Sequence, residues 1–476
     1  MKTQLHTFVL LFLTVYVFSQ NQIGAKIVFS EAKANFGQVA AINNNGDYLI
    51  SSASYQYSTD KKGLARVYNL QNNAWVQIGS DLLGNADGDA FGVSVAMNET
   101  GNTVAVGAIQ LGDGNYSGPG YVKVFRFSSG QYVQIGNDIT GETIGDNFGR
   151  NIAINGDGTK IIVGAIFNDA NTGSQFASNG HIRMYSFDGA NWNLMGLELD
   201  GDMANDNFGD SVDISKDGNR IVASASGFDS GGVNKGLVRV FQFSGGSWSK
   251  VGQDIIGNAD NDRYTNVSII DDGSRISFKN KGVVKVYEFN GTQWNQLGGD
   301  ITGMSSDVIT SNIDNTGNLV SVASRIADNN KGYIQLYKYG NNSWTNVGVT
   351  ITGDVTGDNL GASVEVKNGN VVAGSSDFNL GTPNNGGVRA YSFSTSLSVE
   401  KNELLANINV YPNPVSDVLY IKGIQVKNVS VFNLKGQNML NSSKESVSLK
   451  DLVKGVYLIK ITDSENRTVH QKIVVR

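Results

Sequence analysis

Cysteine is missing from all 476 residues, so no disulfide braces the fold, no thiol serves as a nucleophile and no N-terminal cysteine carries a lipid. Histidine is nearly missing too, with three copies. Only His181 and His470 lie beyond the first twenty residues, which excludes a His-rich zinc site. Proline numbers four, helical patterns are scarce, and no apolar run reaches the ~20 residues a membrane helix needs. No Gly-x-Ser-x-Gly, phosphate-loop or dinucleotide motif stands in a strand-turn-helix setting. Positive charge is short in the body: residues 401–476 carry a net +5, leaving −11 for residues 1–400. An acidic body without clustered Lys and Arg argues against binding nucleic acid.

What is abundant is repetition. Six stretches end in a Gly-x-Val-Arg-Val-Tyr-x-Phe-like strand, an aromatic residue and an Ile-Gly-x-Asp-Ile-x-Gly-like strand: residues 64–84, 121–141, 181–201, 237–257, 283–303 and 333–353. A seventh stops after Val388-Arg389-Ala390-Tyr391-Ser392-Phe393, and its missing phrase, Gln22-Ile23-Gly24-Ala25-Lys26-Ile27, stands alone near the N-terminus. A period of 45 to 60 residues is the mark of propellers and solenoids. Pairing the two ends of a ring accounts for both irregularities, because closure removes the exposed sheet edges an open array would leave. The expected fold is all-β: a seven-bladed β-propeller closed by its N-terminal strand, then a small C-terminal β-sandwich. Six blades remain open if the fifth or sixth copy is an insertion.

Each unit reads as four strands. The first follows a Phe-Gly pair (Phe36, Phe91, Phe148, Phe208, then Leu360, with degenerate Tyr264 and Ile309). The third has apolar residues on both faces, as a strand sandwiched between neighbours requires. All five Trp (Trp75, Trp192, Trp248, Trp294, Trp344) open the fourth strand, with Tyr132 in the same slot of the second copy, a regularity that points to packing. Opposite charges recur 15 residues apart (Arg66 and Asp81, Lys123 and Asp138, Arg183 and Glu198, Arg239 and Asp254, Lys285 and Asp300), becoming Gln335 and Thr350 in the sixth copy. These read as diagonal cross-strand neighbours contributing about 0.2–1 kcal/mol each. In the closing unit Arg389 faces Lys26, a mismatch that calls for another carboxylate. Asp89, Asp146, Asp206, Asp262, Asp307 and Asp358 all precede the Phe-Gly slot by two, the mark of a repeated turn rather than a metal site.

These units resemble bacterial FG-GAP-type propeller repeats, distantly similar to the integrin α-subunit head, over residues 21–394. Integrin-like units hold calcium through an Asp-x-Asp-x-Asp-Gly loop; the short turns here, such as Asn155-Gly156-Asp157-Gly158, lack it. The calcium sites are therefore not carried over, and no cofactor is expected, with calcium left open but unsupported by any loop motif. From Leu404 onward the chain is similar to the type A C-terminal sorting domain of the type IX secretion system of Bacteroidota. The matching residues are Tyr411, Pro412, Asn413, Pro414 and Asp417, then Gly436, then Gly455 and Tyr457, then Lys472. That likeness implies the type IX machinery as partner and a secreted or cell-surface destination. The start agrees: Lys2 and an apolar run from Phe8 to Phe18 read as a signal peptide cut before Gln20. The expected division is a leader at 1–19, propeller at 20–394, linker at 395–406 and sorting domain at 407–476, with no integral membrane segment in the mature chain.

Alternating strand direction puts the loops between fourth and first strands, and between second and third, on one face. Those loops are long, and long loops on a rigid scaffold are where binding residues gather. They offer Tyr57, Asp113, Tyr116, Phe167, Asp169, Phe176, Asp229, Asp328 and Asp377 as candidates for an extracellular glycan or protein ligand. Asp in loops also makes local turns. An extracellular polysaccharide-active enzyme using loop Asp pairs and a non-binding structural surface protein stay open as alternatives; no catalytic residue is assigned.

Overall fold

The computed structural model of the chain describes residues 19–29, 35–54, 62–112, 115–169, 178–304, 310–376, 386–394, 408–423, 425–433, 437–464 and 468–476. Residues 1–18 of the expected leader at 1–19, the expected linker at 395–406, Asp307 and Ile309 lie outside them. The chain divides into two compact units, Met1–Thr395 and Ser396–Arg476.

Among the described residues, the first unit contains seven antiparallel sheets with four principal strands each. In the fourth, Phe208–Ile214, Arg220–Ala225, Leu237–Ser244 and Ser247–Lys250 pair in that order, and the short Ile255–Ile256 extends the last edge. Short turns and alternating pattern explain each hairpin: Ser215 receives the Arg220 N–H on its hydroxyl, as Asn155 receives Lys160 N–H. The core lies between sheets. One cluster joins Ile162 and Met184 of the third sheet to Phe208, Ile221 and Phe241 of the fourth. Equivalent clusters join every consecutive pair, and one joins Val372, Val388 and Ala390 of the last sheet to Ile42, Leu49 and Leu64 of the first. The propeller therefore closes on itself. Phe36, Phe91, Phe148 and Phe208 are fully buried in these seams, each contributing roughly 1.5–3 kcal/mol by burial.

The N-terminal strand Ser19–Val28 supplies the outer strand of the last sheet, with Gln22 opposite Tyr391, Ile23 opposite Ala390 and Ile27 opposite Val388. It pairs with Gly387–Ser394, and Asn370–Ser375 and Leu360–Lys367 follow in order across the sheet. The charge mismatch resolves through a carboxylate outside this pair of strands. Arg389, buried, reaches Asp354 and Asp358 at 2.6 Å each, and Lys26 reaches Asp358 at 2.9 Å.

A correction concerns the pairs 15 apart. They are directly opposite rather than diagonal, because a bulge splits the fourth strand in two. In the fourth sheet Phe241 faces Lys250, yet Val238 faces Ile255, so the register moves by two residues between them. Arg239 and Asp254 continue the second register and bond at 2.9 Å. Arg66–Asp81, Arg183–Glu198, Lys285–Asp300 and Gln335–Thr350 also bond. Lys123 departs, reaching the Leu83 carbonyl at 3.4 Å, while Asp138 accepts from Asn85 and Gln134.

The bulge also creates a latch between sheets. Its glycine takes a left-handed conformation (Gly24, Gly136, Gly196, Gly252 and Gly298, φ 64° to 80°), and the indole of the next sheet lies against it. An added Cβ would come within 2.7–2.9 Å of that ring. Each indole N–H donates to the carbonyl just before the glycine: Trp75 to Ile23, Trp192 to Ile135, Trp248 to Met195, Trp294 to Val251 and Trp344 to Leu297, at 2.7–3.0 Å. Tyr132, in the one non-Trp copy, donates to Gly101 O instead. The N-terminal strand thus enters the ring with the same glycine and carbonyl arrangement as four of the other fourth strands.

The second unit is a small sandwich. Asn409–Tyr411, Val418–Lys422 and Ser446–Ser448 form one sheet; Asn438–Ser442, Val426–Phe432, Gly455–Asp463 and Thr468–Val475 form the other. Val410, Leu419 and Ile421 pack with Val429, Val431, Ile459, Ile461 and Ile473. The side chain of Asn413 ties the proline turn to the last strand, donating to Lys472 O and accepting Val474 N–H, both at 2.9 Å. The Asp417 carbonyl accepts Leu449 N–H, and Tyr457 donates to Val453 O. Tyr411 stacks on Tyr420, 5.8 Å between centroids, with the Pro412 and Pro414 turn following. Gly455 opens its strand, Lys472 sits opposite Leu458, and Gly436 lies outside the described residues. No helix among the described residues is long and apolar enough to cross a membrane.

Candidate functional site

The regular Asp series is structural. One carboxylate oxygen of each accepts a backbone N–H three or four residues earlier: Asp89 from Ala86 and Asn85, Asp146 from Thr143, Asp206 from Met203, Asp262 from Ala259 and Asp358 from Asp354, at 2.8–3.0 Å. All five are buried. Each folds the loop that leads into a new sheet, and a buried side chain follows two residues later: Phe91, Phe148, Phe208, Tyr264 or Leu360.

Between the second and third sheets these loops leave a cavity of about 690 Å³, lined by Tyr116, Thr143, Ile144, Gly145, Asp146, Phe167, Asp169 and Ser178. Tyr116 is carried by the short strand Asn115–Tyr116, paired with Leu111–Gly112. Phe167 follows the second strand of the third sheet and stays 39% exposed; Ile144, at the tip of the loop held by Asp146, is 66% exposed. Asp169 accepts Ser178 N–H at 3.0 Å. Burial pushes the Asp146 carboxyl above its usual range, partly opposed by bonds from Thr143 and Asn168.

Three expected residues, Tyr116, Phe167 and Asp169, are thus brought together. Asp229 and Asp328 serve their own loops: Asp229 accepts Asn234 N–H at 2.5 Å, and Asp328 lies 3.5 Å from Lys331. Tyr57, Asp113, Phe176 and Asp377 lie outside the described residues. Thr143, Ile144 and Ser178 were not foreseen. Ile144 carried a signal, being an isoleucine inside a Gly-Glu-Thr-Ile-Gly-Asp turn that needs no apolar residue.

Beside the cavity, ligand-type atoms of Glu142, His181 and Glu198 lie within 4.8 Å of one another. Arg183 is already set between the two carboxylates, bonding Glu142 and, at 2.5 and 2.8 Å, Glu198. The guanidinium supplies the positive charge a cation would bring and would repel one. It also holds Glu142 below the usual carboxylate range. His181 is 1% exposed, and burial, helped by Arg183, pulls its imidazole down to about 4, so the ring is neutral at neutral pH. Asn168 links the network to the cavity, donating to Asp146 at 3.2 Å and Glu142 at 3.4 Å.

Comparison with known proteins matches residues 409–476 to the family of secretion system C-terminal sorting domains and residues 142–177 to the FG-GAP repeat. Among curated proteins, the chain is 33% identical over 89 residues to the endo-acting ulvan lyase of Formosa agariphila, 17% of each chain. It is 39% identical over 70 residues to beta-agarase D of Zobellia galactanivorans, 14% of this chain and 15% of that one. The chain thus matches less than a fifth of these relatives' length. Among solved structures, the β-propeller domain of Myceliophteria thermophila Cps50 (Swd1) is similar at TM-score 0.49 and 9% identity, over 79% of this chain and 100% of that one. The chain carries a β-propeller with FG-GAP repeat sequence and a type IX secretion C-terminal sorting domain, and is exported to the cell surface or the extracellular space.

Proposed function

We propose that the exported propeller binds an extracellular ligand through its long-loop face, centred on the cavity between its second and third sheets, while residues 407–476 direct its export. One observation carries this reading: Tyr116, Phe167 and Ile144 expose apolar surface around Asp146 and Asp169 in one concave site. Its volume lies in the range of about 300–1,000 Å³ typical of ligand pockets. A glycan fits this lining, because aromatic faces and acceptor groups together suit a ring that is apolar on its faces and hydroxylated at its rim.

Binding rather than turnover is favoured by the state of Asp146. The carboxyl it would offer as an acid is the one that folds its loop, as in four other copies. Glycan-array binding of the full chain, followed by titration of hits, tests the reading. Phe167→Ala should weaken binding at least about tenfold, and Asp328→Asn should leave it unchanged. Hits insensitive to Phe167→Ala would remove the cavity from the account, and hydrolysis of a hit, lost in Asp169→Asn, would replace binding by catalysis.

A further inference from the structure

We infer that the cavity between the second and third sheets takes uncharged, polyhydroxylated rings, the units of a neutral polysaccharide, and turns away sulfated or uronic polymers. The inference rests on the binding reading above and adds the ligand's charge class. Every ionisable side chain lining the described cavity wall is a carboxylate or the Tyr116 phenol. The nearby guanidinium, Arg183, is committed to Glu142 and Glu198. A sulfate or uronate entering here would meet the Asp169 carboxylate, and among the described lining residues no lysine or arginine answers it. Like charges a few ångströms apart in a partly desolvated site cost enough to weaken binding at least about 100-fold.

The same wall suits hydroxyls. A carboxylate offers about four acceptor positions, so sugar O–H donors bond it without bringing charge. Charge-assisted bonds of this kind are about twice as strong as neutral ones. Phe167, 39% exposed, and Ile144, 66% exposed, give the apolar faces against which the C–H surface of a pyranose packs. A cationic peptide would also meet opposite charge here. The Asp146 carboxyl, however, is buried at 4% exposure and bonded to Thr143 and Asn168, so little of its charge faces a ligand, while the apolar surface is what projects.

The test is calorimetric titration of the full chain with neutral galactan, glucan and xylan hexasaccharides, an oligoglucuronate of equal length and a hexalysine peptide. At least one neutral sugar should bind, with affinity changing less than about twofold between ~50 and ~500 mM NaCl. Phe167→Ala and Tyr116→Ala should each cost at least about tenfold; both side chains lie in surface loops, so two independent variants guard against a folding artefact. The oligoglucuronate should bind at least about 100-fold more weakly, and Asp169→Asn should narrow that gap to about tenfold or less. Oligoglucuronate binding within tenfold of the neutral sugar and lost in Phe167→Ala overturns the charge class while leaving the binding site standing. Hexalysine binding tighter than every sugar and lost in Phe167→Ala overturns the sugar assignment alone. Silence from all the probes overturns both.

Discussion

Replacing Gly252 by alanine isolates the latch that joins neighbouring sheets. The new Cβ would sit 2.8 Å from Cδ1 of Trp294 at a residue with φ 70°. A left-handed alanine costs roughly 1–2 kcal/mol. The displaced indole would also lose its 2.8 Å bond to the Val251 carbonyl, leaving that carbonyl short of a partner at about 1–2 kcal/mol more. The expected loss is therefore ~2–4 kcal/mol. Gly245, with φ 60° and nothing within 4 Å of an added Cβ, carries the backbone strain alone, so Gly245→Ala should cost only ~1–2 kcal/mol. Guanidinium denaturation followed by tryptophan fluorescence and circular dichroism compares the two. In a double-mutant cycle, Trp294→Phe should absorb at least about 1 kcal/mol of the Gly252→Ala cost. Equal losses in Gly252→Ala and Gly245→Ala, or strict additivity with Trp294→Phe, would refute the latch.

Two further outcomes follow from the same structure. His181, neutral and buried, has a folded value of about 4 against 6.5 when exposed, so the unfolded chain binds the extra proton between those values. Stability should fall as pH drops from ~6.5 to ~4, by up to ~3 kcal/mol. His181→Leu, which installs the residue found at the equivalent Leu237, should flatten that slope; parallel curves for both proteins would contradict the assignment. For export, a chain ending at Ser394 should accumulate in the periplasm of a type IX host, and its release into the medium would defeat the sorting role of the C-terminal unit.

The ring and its closing strand were legible because a four-strand phrase recurs at fixed spacing and two of its pieces are misplaced in complementary ways. Phe36, Phe91, Phe148 and Phe208 announced the buried seams, and the Asp two residues before three of them announced the turn. What stayed hidden was register. Counting along an apparently continuous strand from Trp248 to Ile256 misses the bulge at Gly252, so Arg239 and Asp254 were placed one step away from opposition. The partner of Arg389 was hidden for a related reason. Arg183 and Arg239 also reach the residue after the closing glycine of the previous copy, Glu142 and Asp202; Asp354 holds that place for Arg389. The cavity was half legible, since Tyr116, Phe167 and Asp169 sit in long loops, whereas Ile144 lies in a short one where only folding brings it beside them.

Closure by the N-terminal strand can be trapped covalently. Asn21 and Ser392 are partners in the register, and opposite residues of an antiparallel pair lie about 4.5–5.5 Å apart at Cα, inside the range a disulfide spans. In a chain with no other cysteine, Asn21→Cys with Ser392→Cys should oxidise completely, shift mobility on a non-reducing gel and raise stability by ~3 kcal/mol or more. Two free thiols in the folded, oxidised protein would mean that the head and tail of the propeller do not meet.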